Sequence, residues 1–132
     1  MPRSKLNLIG ENHLVIRNQR NIYKVKLDEI NYLRCTSYKT TIHLMDGSSR
    51  EVCAPLKDFE ILLSPKGFVK VHRNTLVNMK AVIEVSNSTE LKALLINGIN
   101  IDIAYRRFKS FKTLFEGLPV IIWILSLDNK IQ

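Results

Sequence analysis

The chain has 132 residues, 45% of them hydrophobic, which suits one globular domain with a modest core and excludes a disordered segment. Twenty Lys and Arg against 12 Asp and Glu leave a formal charge of +8, which points to a polyanion partner, nucleic acid ahead of an anionic membrane, and says nothing about fold. The longest apolar run, residues 118–125, falls far short of the roughly 20 residues a spanning helix needs. No secretory signal opens the sequence, and Cys35 and Cys53 are too few for a disulfide scaffold and form no metal motif. The expectation is a soluble, cytoplasmic protein with free thiols and no membrane insertion.

In chain order, residues 6–9 and 13–17 read as strands around the turn Gly10-Glu11-Asn12, and residues 22–27 alternate as a strand with one buried face. Asp28-Glu29-Ile30 is expected to form a single helical turn with Asp28 as its cap, followed by a strand over 31–35. Residues 36–40 are polar and aromatic without glycine. A strand over 41–44, the hairpin dipeptide Asp46-Gly47 and a returning strand over 50–53 come next. Residues 55–63 are the first convincing helix, with Pro55 in its first turn and Leu56, Phe59, Leu62 and Leu63 on one face.

The stretch FVKVHRNTLVNMKAVIEV, residues 68–85, organises the rest of the chain. It reads as strands over 68–71 and 81–85, separated by a polar hinge, His72-Arg73-Asn74-Thr75, and a short apolar-polar step over 76–80. A turn at 86–89 and strands over 91–96 and 99–103 follow, the last two flanking the hairpin dipeptide Asn97-Gly98. Residues 104–115 form a second helix, with Ala104, Phe108, Phe111 and either Leu114 or Phe115 as its buried stripe. Arg106, Arg107, Lys109 and Lys112 are its charges, and Gly117 its stop. Nine or ten short strands with two helices make the chain mainly β rather than a βαβ sheet.

No phosphate loop, nucleophile elbow or zinc-protease motif is present, His13, His43 and His72 are not at metal spacing, and the carboxylates are scattered. Neither an enzyme nor a cofactor is expected. Three donor-rich tips stand out instead: Ser37-Tyr38-Lys39, His72-Arg73-Asn74 and Tyr105-Arg106-Arg107, each after an expected strand. Arg offers a planar fork of donors and Asn both a donor and an acceptor, which suits phosphates and base edges. A polar tip between strands is ordinarily a solvated loop, so the tips carry meaning only if strands side by side bring them along one edge.

The segment Phe68, Lys70, His72-Arg73-Asn74, Leu76-Val77-Asn78 and Val82-Ile83 resembles the signature of the LytTR-type DNA-binding domain of the LytR/AlgR regulators. Residues 28–33 resemble the segment that opens that domain. Tyr38, Asp46-Gly47, the helix with Leu56-Lys57-Asp58-Phe59, and Asn97-Gly98 before a basic helix follow in the family's order, so the resemblance covers about residues 14–115. It implies a sequence-specific DNA-binding domain of bacterial transcription regulators, mainly β, built as an elongated stack of small antiparallel sheets with one short internal helix and a C-terminal basic helix. Strand-end loops rather than a recognition helix would enter successive grooves. Carried over, Lys39 with Ser37 and Tyr38 occupies the first contact loop, and Arg73 and Asn74 the second. A strict register puts Tyr105 at the family's third contact arginine and leaves Arg106 one residue further on, with Arg107 beside it. Lys57 matches a phosphate-contacting lysine.

On this reading, residues 1–117 are the DNA-binding domain and 118–132 an apolar tail that packs on it or serves as a docking or dimer segment. The resemblance starts too early to leave room for a receiver domain, so the chain is either a free-standing regulator or an output domain cut from one. The partners implied are promoter DNA carrying paired direct repeats, a second copy on the same DNA face, and a receiver domain or a membrane-bound regulator if the native protein is larger or paired. The competing reading is a basic all-β module that binds protein or an anionic surface without sequence preference.

Overall fold

The computed structural model describes residues 2–117. The chain runs β1 (Lys5–Ile9), β2 (His13–Arg17), β3 (Ile22–Lys26), β4 (Ile30–Thr36), β5 (Lys39–Leu44), β6 (Ser49–Val52), α1 (Leu56–Leu63), β7 (Phe68–His72), β8 (Thr75–Asn78), β9 (Val82–Ser86), β10 (Lys92–Leu95), β11 (Asn100–Asp102) and α2 (Tyr105–Phe115). Single 3-10 turns lie at Leu27–Glu29, Ser64–Lys66 and Met79–Ala81. The strands make three sheets, β1-β2-β3, β6-β5-β4-β8-β7 and β11-β10-β9, with every pairing antiparallel. The mainly β stack with a short internal helix and a C-terminal one is the architecture the sequence resemblance implies.

The alternation of side chains across the five-stranded sheet explains the layering. Ile30, Leu33, Ile42, Val52, Phe68 and Leu76 point to one face, where Leu14, Ile16 and Val25 of the N-terminal sheet and Leu56, Phe59 and Leu63 of α1 cover them. Tyr32, Val71 and Val77 point to the other face and meet Ala93, Leu95, Ile101 and Ile103 near the C-terminal sheet and Phe111 of α2. One sheet thus serves two cores, with a small sheet and a helix sealing each side.

Three local expectations are corrected and one open alternative is decided. Residues 75–78 are a strand, not a hinge and step: Thr75, Leu76, Val77 and Asn78 are all buried between β4 and β7, so the strand shows none of the alternation that reveals a half-exposed one. Asp28 caps nothing. The 3-10 turn begins at Leu27 after Lys26, no side chain caps it, and Asp28 lies exposed 3.9 Å from Lys80 Nζ. Pro55 is the residue before α1 rather than within its first turn, at φ −73° and ψ 158°. Of the two alternatives for the α2 stripe, Leu114 is 51% exposed, and Phe115 packs with Phe108 beside Phe111.

Asn78 anchors the end of β8. Its Nδ2 donates to the carbonyl of Ile30 at 2.9 Å and its Oδ1 accepts from the backbone N–H of Lys80 at 3.0 Å, so this asparagine caps a turn and fastens it to the first residue of β4. Cys35 and Cys53 are free thiols. Among the described residues no helix is long and apolar enough to cross a membrane. The expectation for the apolar tail, 118–132, lies outside the described residues.

His43 stacks on Tyr32 with ring centroids 4.2 Å apart. Burial, and then the nearby Arg34 guanidinium, hold its pKa below the usual 6.5. The folded state therefore favours neutral imidazole, while the unfolded chain takes up the proton at the ordinary value. The resulting stability is present above pH 6.5 and is lost as pH falls through the folded pKa. Urea denaturation at about pH 7.5 and about pH 5.5 is expected to show a smaller acid loss for His43→Phe, which keeps the stacked ring without the titration, than for the unsubstituted protein. Equal losses would show that His43 contributes nothing to the pH dependence.

Candidate nucleic-acid interface

The β4–β5 hairpin closes through two residues, Ser37 and Tyr38, because Thr36 pairs with Lys39. Ser37 has φ 58°, the only positive φ on a non-glycine among the described residues, as the first central position of a tight hairpin turn demands. Holding a serine there costs on the order of 1 kcal/mol relative to an unstrained backbone. The turn throws Tyr38 outward, 84% exposed, and Lys39 leaves it with its Nζ 3.7 Å from Glu51 Oε1.

The β7–β8 turn, Arg73-Asn74, lies at the same end of the sheet. Thr75 pairs with Arg34 near the end of β4, and Cys35 N–H donates to the Asn74 carbonyl at 2.9 Å. Arg73 is exposed. Asn74 is half-buried and held from beneath: Thr75 Oγ1 donates to its Oδ1 at 2.9 Å, and His72 Nδ1 lies 3.1 Å from the same oxygen. With Oδ1 engaged, Asn74 has its amide Nδ2 left to give to a ligand acceptor.

The third tip joins the row through the backbone. Ala104 N–H donates to the Val71 carbonyl at 2.8 Å, which sets the start of α2 against the last turn of β7. Tyr105 is 88% exposed and Arg106 is exposed, whereas Arg107 is half-buried with its Nε enclosed and without a hydrogen-bond partner. Lys57 belongs to this end as well. Thr40, which follows Lys39, donates from Oγ1 to the Ala54 carbonyl at 2.7 Å, so α1 starts beside the first tip, with Lys57 exposed in its first turn.

All three tips therefore line one end of one sheet, in the order β4–β5 turn, β7–β8 turn, α2 start. With strands about 4.8 Å apart, the row from first to third tip spans roughly 15–20 Å.

Sequence reading did not single out Arg34, a lone cation within β4 with no local pattern to mark it. In the structure its Nε donates to Thr75 Oγ1 at 3.2 Å and its guanidinium sits 5.3 Å from the Tyr32 ring centroid. Arg34, Thr75, Asn74 and His72 thus form a chain of polar contacts that sets the second tip from below. Asp102 borders the same end. Its hydrogen bond from Lys92, and then the fields of Lys92, Arg34 and His72, hold its carboxyl below the usual range, so it stays ionised and offsets part of the positive field.

Comparisons with known proteins bear on the family and the fold. The model of the LytTr DNA-binding domain family matches residues 20–116. Among solved structures, the chain is similar to a LytTr DNA-binding domain from Bacillus cereus, described as part of a methyl-accepting/DNA response regulator. The TM-score is 0.64 at 18% sequence identity, over 83% of this chain and 100% of that one. No curated protein matches the sequence.

Proposed function

The chain belongs to the LytTR DNA-binding domain family, a family of DNA-binding rather than enzymatic domains typical of bacterial transcription regulators, and from that premise we propose that it reads a specific double-stranded sequence through the row of three tips. The observation that carries this reading is their convergence: loops drawn from residues 37–39, 73–74 and 105–106 share one end of the five-stranded sheet. A row of roughly 15–20 Å is about half a helical turn of B-DNA, so with the reach of Lys and Arg it engages adjoining grooves from one side of the duplex.

The roles follow from chemistry. Arg73 is exposed, carries no ion pair among the described residues and offers a fork of donors for guanine O6 and N7. Lys39 and Asn74 give one or two donors each, to a base edge or a phosphate. At the third tip Arg106 supplies the guanidinium, and Tyr105 an apolar face with a hydroxyl. Arg107, half-buried with its Nε enclosed, has only its terminal NH2 groups to offer beside its charge. Lys57, exposed at the start of α1, suits phosphate attraction. Two copies on paired direct repeats of a promoter would give the affinity that a single small footprint lacks.

Selection of bound duplexes from a random pool at physiological salt tests the reading. A recovered motif, repeated in direct orientation, is the expected result. Recovery of no motif, with binding that disappears as salt rises, would instead leave a basic β module held by charge alone.

A further inference from the structure

The N-terminal sheet carries a feature that the three tips do not use. Its inner side chains, Leu6, Leu8, Leu14, Ile16, Tyr23 and Val25, pack into the core. The registers Lys5↔Arg17↔Ile22, Asn7↔Val15↔Lys24 and Ile9↔His13↔Lys26 define the outer face, which holds four cations and no carboxylate. Lys5 and Arg17 stand directly opposite each other on this face, both exposed. Opposed like charges on neighbouring strands weaken a sheet, and no ion pair among the described residues relieves them.

The position of this sheet is equally specific. Ser4 N–H donates to the Cys53 carbonyl at 2.8 Å, and the Arg50 guanidinium lies 3.8 Å over the Tyr23 ring, so the sheet runs along the β6 edge. The β2–β3 turn is fixed by Asn18, whose Oδ1 accepts from the backbone N–H groups of Arg20 and Asn21 at 2.8 and 2.7 Å. Asn18, Gln19, Arg20 and Asn21 line one groove of about 490 Å³ together with Lys39. The start of β1, the end of β2 and the β2–β3 turn therefore stand at the same end as the three tips, continuing their row past the first.

We propose that Lys5, Arg17 and Arg20 form a fourth DNA-contacting segment, which grips the phosphates flanking the sequence read by the first tip. The proposal rests on the DNA-binding reading above and extends its footprint in one direction, because the cations sit on the Lys39 side of the row only. A phosphate between Lys5 and Arg17 would cancel the repulsion their register imposes. These residues lie before or at the first residue of the family match, 20–116, so the segment adds to the domain's shared contacts. Lys26, on the same face but at the far end of β3, is out of reach of the same duplex.

The test uses the full chain and the duplex recovered by selection, with flanks on both sides. The triple variant Lys5→Gln/Arg17→Gln/Arg20→Gln is expected to keep the selected motif while its slope of log K against log salt falls by about 2.7, the loss of three phosphate contacts. Hydroxyl-radical protection is expected to disappear from one flank alone, and shortening that flank to erase the difference between variant and wild type. Lys26→Gln should leave slope and footprint unchanged.

An unaltered slope and footprint in the triple variant, with wild type still protecting its motif, would overturn this inference and leave the proposed function standing. A Lys26→Gln slope change as large as one third of the triple variant's would mean general attraction and overturn it as well. If the triple variant instead loses only binding to phosphatidylglycerol vesicles, the face serves a lipid surface and the inference fails. Wild type protecting no motif would remove both readings.

Discussion

Replacing Arg73 by alanine is expected to weaken binding to the selected duplex by about 1–3 kcal/mol, roughly 5- to 150-fold, and to relax the preference at one base pair. Arg73 tips the β7–β8 turn, and the turn beneath it is rigid: Asn74 is held by Thr75 and His72, and Thr75 by Arg34. A turn already held in place has no loop to order on binding, and the planar fork of arginine matches a guanine edge in a way a lysine point charge cannot. Lys57→Ala is the contrast. An exposed lysine on a helix turn is a mobile point charge, so its loss should weaken all sequences alike and lower the salt slope by about one. Competition binding with the selected duplex and with single-base variants separates the two effects. Identical behaviour of both substitutions would mean that neither residue reads sequence.

The parts of the fold that were legible in the sequence are those where backbone conformation or periodicity leaves a chemical trace. Asp46-Gly47 and Asn97-Gly98 marked hairpins because those turns need positive φ, and Gly47 and Gly98 adopt 92° and 90°. Leu56, Phe59 and Leu63 marked α1 because a helix that covers a sheet shows a 3.6-residue stripe. β8 was hidden for the opposite reason. A strand buried on both faces shows no polar alternation, since even its Thr75 and Asn78 are buried, and its neighbours on either side come from β4, about 40 residues earlier in the chain, and β7. The tips were visible as composition, and their alignment followed only if the strands ran side by side. The support under them was not visible. Arg34 and Thr75 are 41 residues apart and meet at 3.2 Å, a contact that no local pattern encodes. The strained Ser37 was equally silent, since hairpin rules expect glycine at its position.

Phe111→Ala is expected to cost about 3–5 kcal/mol, a large share of the roughly 5–15 kcal/mol that stabilises a domain of this size, and to release the third tip before the rest of the fold. The reason lies in how poorly α2 would hold by itself. It has 11 residues, no side-chain cap and no acidic residue in its first turn, and Arg106 and Arg107 put positive charge at the positive end of its dipole. A helix of that length is marginal in water even with favourable ends, so its order comes from packing. Phe111 is fully buried, with Phe108 and Phe115 partly so, against Val71, Ile101 and Ile103. Removing the central ring leaves a cavity where α2 crosses the C-terminal core, while the core on the other face of the five-stranded sheet stays filled. Urea denaturation should give the stability loss, and amide exchange should show residues 105–115 opening at lower free energy than β4 or β8. At temperatures where the variant remains folded, preference at the base pairs facing the third tip should fall while that facing Arg73 persists. Phe111→Leu, which keeps most of the volume, is expected to cost about 1 kcal/mol and to retain both preferences. Uniform exchange across α2, β4 and β8 in Phe111→Ala would show instead that the two cores unfold as one unit and that the third tip has no independent stability.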